Sequence, residues 1–117
     1  MTTKEVITSY FEYVNSGQWD NWLSLFDENV IMDEQLLGHI EGKEILAKSI
    51  DGLRDNKDFR NFPLEMIVEE NKAVVLWNIK SPKPDGSLLD VKGANFFKIK
   101  NGKIVYFSNF HDTSVFK

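Results

Sequence analysis

The sequence predicts an α+β domain, because the spacing of its hydrophobic residues changes once along the chain. Before Pro63, apolar residues recur at helical spacing; after it, they alternate as they do in β-strands. An Asn101-Gly102 pair between two apolar runs is a strong hairpin signal near the end. Helices followed by a mainly antiparallel sheet are typical of the α+β class.

The composition fits one globular domain over residues 1–117. A net charge of -4, with scattered lysine and arginine, argues against nucleic acid or an anionic membrane as partner. No apolar run approaches the roughly 20 residues that cross a bilayer, and the N-terminus does not resemble a signal peptide. The lack of cysteine excludes disulfides and thiolate chemistry. Because neither a membrane-spanning run nor a signal peptide is recognisable, we expect a cytoplasmic protein.

Three helices are predicted in the first half of the chain. The first begins at a capping box, in which Glu5 follows Thr2 by three residues, and ends near Gly17. The second carries one apolar face, formed by Trp19, Trp22, Leu23 and Phe26. The third covers residues 43–53 and is expected to be buried through Ile45, Leu46 and Ile50. Between the last two, residues 30–32 predict a short strand and residues 38–42 a loop.

The sheet is predicted after a polar segment, residues 54–61, that we expect to be flexible. Four strands are expected, at residues 64–69, 73–80, 88–100 and 103–112. A tight turn at 70–72, a long loop at 81–87 and the Asn101-Gly102 turn connect them.

The Asn101-Gly102 turn decides which side chains share a face of the sheet. A two-residue type I′ turn would place Asn95 opposite Ser108, whereas a three-residue turn with Gly102 at a bulge would place it opposite Phe107. Only the second alternative puts all the following on one face: Asn95, Phe97, Phe107, Asn109 and His111. The opposite face would then carry Phe96, Ile104, Tyr106 and Phe110. The sequence leaves this choice open.

Polar side chains interrupt the apolar pattern of the last two strands at Asn95, Asn109 and His111. A buried amide or imidazole costs a few kcal/mol unless it is hydrogen-bonded. These groups are therefore either satisfied internally or available to a ligand, which we expect to be a small hydrophobic molecule. The expected ligand-binding residues are Met32, Trp77, Phe97, Phe107 and Asn109.

The catalytic candidates are Tyr10, Glu34, Asn95 and His111. A proton-abstracting base needs a carboxylate in a dry pocket. Adjacent strand residues face opposite sides, so only one of Asp33 and Glu34 can line a pocket; parity with Met32 favours Glu34. Tyr10 and Asn95 could donate hydrogen bonds to a carbonyl oxygen, and His111 could move a proton. A solvated Glu34 and a core Tyr10 are the plainer alternatives.

The order of elements, together with three local stretches, resembles the nuclear transport factor 2-like superfamily. That superfamily includes SnoaL-like polyketide cyclases and ketosteroid isomerases. The resembling stretches are residues 22–30 (WLSLFDENV), 38–45 (GHIEGKEI) and 101–104 (NGKI). The resemblance implies a cone-shaped curved sheet wrapped around the helices, a ligand pocket at its open end, and a homodimer through the outer face of the sheet.

The same resemblance implies roles for three residues. The catalytic tyrosine of ketosteroid isomerase falls on Tyr10, its general-base aspartate on Glu34, and its oxyanion-binding carboxylic acid on Asn95. Asn95 departs from the family pattern, although an amide can also donate to an oxyanion.

Three classes of function are left open. An isomerase, cyclase or dehydratase would transfer a proton on a small apolar carbonyl compound. A non-catalytic binder would hold a hydrophobic ligand, and a protein-interaction module would use the outer surface. No cofactor is expected. A metal held by Asp33, Glu34, His39 and His111 has no supporting ligand spacing, so no metal site is predicted.

Overall fold

The fold is built on one six-stranded sheet whose strands lie in the order β2-β1-β6-β5-β4-β3. A computed structural model describes residues 1–116; residue 117, the last of the expected domain, lies outside them. The strands are β1 (Phe26–Glu34), β2 (Gly38–Glu41), β3 (Arg60–Glu69), β4 (Lys72–Pro82), β5 (Leu88–Lys100) and β6 (Lys103–His111). The pair β1 and β6 is parallel and the other neighbours are antiparallel. The curved, unclosed sheet confirms the predicted α+β class.

The helices are short except for the first. They are α1 (Thr3–Asn15), α2 (Trp19–Leu23), α3 (Lys43–Ser49) and α4 (Asp51–Arg54), with a 3-10 helix at Ser114–Phe116. The predicted capping box starts α1: Thr2 Oγ1 accepts from the Glu5 backbone N–H, and Glu5 Oε1 accepts from the Thr2 backbone N–H. The buried face of α1 carries Val6, Ile7, Tyr10, Phe11 and Val14. Among residues 1–116, no helix is long and apolar enough to cross a membrane.

Three predicted elements differ from the structure. Phe26 begins β1 rather than continuing α2. The expected loop at 38–42 contains strand β2, which returns antiparallel to β1 after a turn at residues 35–37 and begins at Gly38 (φ 81°). The predicted third helix is divided at Ile50 into α3 and α4. Ile45 is 48% exposed rather than buried, because Leu46 and Ile50 lie one helical turn apart on the buried side and Ile45 lies about 100° away.

The polar segment 54–61, expected to be flexible, makes side-chain contacts with the rest of the fold. The Arg54 guanidinium lies 3.0 Å from the Asp20 carboxylate, and the Asn56 amide donates to the Ser81 hydroxyl at 3.0 Å. At its end, β3 begins at Arg60, before Pro63.

The last hairpin follows neither of the two predicted registers throughout its length. Asn101 and Gly102 both have positive φ (52° and 74°), which gives a two-residue type I′ turn with Ile99 opposite Ile104. A β-bulge between Lys98 and Ile99 then shifts the pairing, so that Asn95 lies opposite Asn109.

The bulge has two consequences for the faces of the sheet. Asn95, Asn109 and His111 share the inner face, as the three-residue turn would have required, although the turn has two residues. Ile104 precedes the bulge, pairs with Phe26 of β1 and is fully buried, so its expected outward position is wrong. Phe96, Tyr106 and Phe110 do lie on the outer face.

Candidate functional site

A cavity of about 300 Å³ lies between the inner face of the sheet and the helices. Its walls are mainly apolar, and all three tryptophans of the chain, Trp19, Trp22 and Trp77, contribute to them. Its polar lining residues are Tyr10, Glu34, Ser49, Asn61, Asn95, Asn109 and His111. A small, mostly apolar pocket with a few converging polar groups is the usual form of a ligand site.

Three polar residues form a row across the inner face of the sheet. Glu34 of β1 lies opposite Asn109 of β6, which lies opposite Asn95 of β5. Neighbouring strands are about 5 Å apart, so the row spans roughly 10 Å. Asn109 is the central member, and its Oδ1 is buried without a hydrogen-bond partner.

Trp77 fixes the orientation of the Asn95 amide. Gly93 lies opposite both Trp77 and His111, and a Cβ at Gly93 would lie 2.5 Å from two ring carbons of Trp77. The missing side chain lets the indole lie over the strand and donate from Nε1 to Asn95 Oδ1 at 2.9 Å. Asn95 Nδ2 therefore faces Tyr10 and lies 3.4 Å from its hydroxyl oxygen.

Tyr10 is a neutral hydrogen-bond donor inside the cavity. Burial raises the pKa of its hydroxyl well above the ordinary value, and the neighbouring Asn95 amide opposes that rise. The phenol therefore stays protonated throughout the neutral range. Because Asn95 donates to the Tyr10 oxygen, the phenolic hydrogen points elsewhere and can donate to a bound molecule.

Glu34 and His111 form a buried pair in the cavity wall. Glu34 Oε1 lies 2.8 Å from His111 Nε2, and the two side chains are only 9% and 6% exposed. Glu34 Oε2 accepts from the backbone N–H groups of Leu36 and Leu37 at 2.7 and 2.6 Å. His111 Nδ1 lies 3.2 Å from the Asp112 carbonyl oxygen. The carboxylate thus holds the imidazole and the turn after β1 together.

Asp33 lies on the other face of the sheet from Glu34, as parity indicated. It contacts His39 Nδ1 at 2.6 Å and accepts from the Tyr106 hydroxyl at 2.7 Å. The hydrogen bond with His39 lowers the pKa of Asp33, and the same bond raises the pKa of His39. The four residues weighed as metal ligands are therefore split between two faces. Within residues 1–116, no group of three or more His, Cys, Asp or Glu side chains is arranged so that it could hold a metal ion.

Three buried side-chain atoms in the described part of the chain have no hydrogen-bond partner. They are Trp22 Nε1, Asn61 Oδ1 and Asn109 Oδ1, and all three residues line the cavity. A buried polar atom without a partner costs about 1–3 kcal/mol. Their shared position is the arrangement expected of a site whose ligand supplies the missing partners.

The structure brings together eight of the nine sequence-predicted site residues. Those that line the cavity are Tyr10, Met32, Glu34, Trp77, Asn95, Phe107, Asn109 and His111. Phe97 does not line it, because its ring is fully buried behind the wall, with ring centroids 5.1 Å from Tyr10 and 6.1 Å from Phe107. The roles assigned to these residues remain predictions.

Sequence reasoning missed Asn61 and Trp22. Asn61 belongs to the segment expected to be flexible, and Trp22 fits the apolar face of α2. No sequence signal marks Asn61, because the change of period lies at Pro63 and the strand extends back from there to Arg60. Leu36, Leu37 and Phe116 also line the cavity without having been singled out.

The chain belongs to the SnoaL-like domain family, whose model matches residues 7–107. Solved structures share the fold over nearly their whole length. A nuclear transport factor 2-like protein of unknown function from Burkholderia pseudomallei K96243 has a TM-score of 0.86 and 18% identity, covering 97% of this chain and 93% of that chain.

Two further solved structures share the fold, one with a bound small molecule and one of a proposed enzyme. TerC, co-crystallized with polyporic acid, has a TM-score of 0.85 and 16% identity, with 97% of this chain and 94% of that chain covered. A proposed polyketide cyclase from Pseudomonas putida KT2440 has a TM-score of 0.82 and 20% identity, with 99% and 96% covered. At these identities the likeness shows the fold alone. No curated protein matches the chain.

Proposed function

We propose that the protein binds a small, mostly apolar carbonyl compound in the cavity and that Glu34 and His111 transfer a proton on it. The observation that carries the proposal is that all three residues with an unpartnered buried atom line the cavity. A ligand that satisfies them would remove an energetic penalty that the free protein bears. The family membership and the ligand-bound relative TerC support binding of a small molecule here.

The carbonyl oxygen is held by Tyr10 and Asn95 in this proposal. The phenolic hydrogen and the second hydrogen of Asn95 Nδ2 are two neutral donors in an apolar surrounding, where hydrogen bonds to developing negative charge are strong. The Trp77 indole keeps Asn95 Nδ2, rather than its oxygen, on this side. The same two donors would stabilise an enolate.

The proton is moved at the other end of the polar row. Glu34 lies roughly 10 Å from Asn95 across two strand spacings, which a carbonyl group and its neighbouring carbon can bridge with a hydrogen-bond length at each end. Glu34 Oε2 already accepts two backbone N–H groups, so Oε1 takes the proton from the carbon. The electron pair moves to the carbonyl oxygen, and the enolate recovers a proton from Glu34 or His111.

Exchange of carbon-bound hydrogen for deuterium tests this step without knowledge of the natural substrate. We expect the protein to accelerate exchange of the α-protons of α-tetralone in D₂O, measured by proton NMR. Glu34→Gln should reduce the protein-dependent rate by at least about 100-fold, because an amide cannot accept the proton. Glu41→Gln is the matched control: Glu41 is exposed and on the outer face, so the rate should not change.

A non-catalytic binder is the second candidate function. It is favoured by the three hydrogen-bond contacts that the Glu34 carboxylate already makes within the protein, which leave it less free to take a proton from a ligand. Binding of α-tetralone with no exchange above the buffer rate would support this candidate. Exchange that survives in Glu34→Gln would contradict the role of Glu34.

We further propose a homodimer through the outer face of the sheet. This face carries Val74, Leu76, Phe96, Tyr106 and Phe110, of which Phe110 is 55% exposed. A continuous apolar surface of this kind is more than a monomer usually leaves in water. A second copy of the chain could cover it around a two-fold axis.

Phe110→Glu should convert the dimer to monomer at micromolar concentration. Two facing carboxylates would bring like charges into an apolar contact, and the cost of desolvating them opposes association. Sedimentation equilibrium gives the mass, with 13.6 kDa expected for the monomer. Leu88→Glu is the control, because Leu88 is equally exposed (54%) but lies at the far end of the β4–β5 hairpin. A monomeric unmodified protein would refute the proposal.

A further inference from the structure

We infer that the Asn61 amide forms a second polar subsite, which recognises a hydroxyl group at the end of the ligand remote from its carbonyl. The inference rests on the proposed function, because it adds a contact for the same ligand. It also makes that function more specific: the ligand has a polar group at each end and an apolar body between them.

The backbone of Asn61 is held in the cavity wall by hydrogen bonds. The Asn15 side chain holds its backbone at two points: Asn15 Nδ2 donates to the Asn61 carbonyl at 2.9 Å, and the Asn61 N–H donates to Asn15 Oδ1 at 2.7 Å. The Asn61 side chain is 93% buried, since only 7% of the residue is exposed. Its Oδ1 nevertheless has no partner in the described part of the chain.

The subsite is well separated from Tyr10 and Asn95. Asn61 lies opposite Ile79 on β4, whereas Asn95 lies opposite Val75 on the other side of the same strand. The four-residue offset corresponds to roughly 13 Å along the strand. Trp77 and Ile79 supply the cavity wall between them. One compact polar group cannot contact both ends, so a ligand that satisfies both is elongated.

A hydroxyl is the group that matches Asn61. An amide presents an acceptor and two donors, and a hydroxyl can donate to Oδ1 while accepting from Nδ2. A carboxylate would be buried there without a cation. The cavity wall also contains the apolar residues Leu53, Phe59 and Ile79, and His111 is already paired with Glu34. The ligand is therefore neutral at this end.

Two hydroxylated isomers of α-tetralone test the inference. In one isomer the hydroxyl is para to the aromatic carbon that bears the carbonyl group, so that it can reach Asn61. In the other isomer the hydroxyl is ortho to that carbon and forms an intramolecular hydrogen bond with the carbonyl oxygen. Binding is followed by quenching of tryptophan fluorescence, since all three tryptophans line the cavity. We expect the para isomer to bind about ten-fold more tightly than α-tetralone, and the ortho isomer no more tightly.

Asn61→Leu should abolish the preference for the para isomer, so that the ratio of its affinity to that of α-tetralone falls from about ten to about one. A purely structural role for Asn61 would instead weaken all three ligands together. Asn61→Ala gives the same comparison if leucine prevents folding. A preference that survives in these variants, or its absence in the unmodified protein, overturns the inference and leaves the proposed function standing. If neither α-tetralone nor its isomers bind, the proposed function itself fails and the inference falls with it.

Discussion

Gly93→Ala should destabilise the protein by about 3 kcal/mol, the upper end of the range for overpacking a filled core. The added Cβ would lie 2.5 Å from Trp77 Cη2 and Cζ2 and 2.6 Å from the Phe110 carbonyl oxygen. The backbone oxygen cannot withdraw, and the indole is held by its bond to Asn95. Equilibrium unfolding in urea measures the change, and loss of the Trp77–Asn95 bond should also weaken ketone binding.

Gly52→Ala is the matched control for this prediction. Gly52 lies in α4, and a Cβ there meets no atom within 4 Å. Alanine restricts the unfolded chain and favours the helix, so stability should rise by about 0.5 to 1 kcal/mol. If the two variants unfold at the same urea concentration, the packing of Trp77 over Gly93 is not what the structure indicates.

Breaking the contact between Glu34 and His111 should destabilise the protein by about as much as Gly93→Ala. In a double-mutant cycle with Glu34→Gln and His111→Asn, we expect each single variant to lose about 3 kcal/mol, because each leaves a buried polar group poorly matched. The double variant should lose less than the sum of the two. Thermal or urea unfolding of the four proteins gives the coupling energy.

The exposed pair of His39 and Glu41 gives the comparison for the cycle. His39 Nε2 lies 3.1 Å from Glu41, and the two side chains are 55% and 71% exposed. Solvent screens such a pair, so the same cycle there should show little coupling. Equal coupling at the two pairs would contradict the buried position of Glu34.

Most of the fold could be predicted from the sequence because it depends on local signals. The Thr2 capping box, the helical spacing of the first third and the alternation after Pro63 each act within a few residues. The divided third helix and β2 were missed for the same reason. Their form depends on tertiary contacts: Ile50 turns into the core, and residues 38–41 gain a partner only once β1 is in place.

The candidate site was predictable where strand parity applies. Glu34 could be separated from Asp33 by parity with Met32, and the three polar residues of the last hairpin interrupted an apolar pattern. Asn61 could not be found in this way, because its importance lies in the lack of a partner for one oxygen, which no sequence spacing records. The Trp77–Asn95 bond likewise depends on the space above Gly93.

The bulge in the last hairpin makes the chain unequally tolerant of changes in length. Val105 is the extra residue of the bulge, because Ile104 pairs with Ile99 and Tyr106 pairs with Lys98, so deleting it would leave every later pair of β6 unchanged. Deleting one residue from the regular part beyond the bulge, at Ser108 for example, would turn the later side chains of β6 to the opposite face. Phe110 would enter the cavity, and Asn109 and His111 would leave it. Two-residue changes would preserve the faces. The strand therefore tolerates a single-residue deletion at the bulge, whereas the same deletion a few residues later exchanges side chains between the ligand pocket and the outer surface.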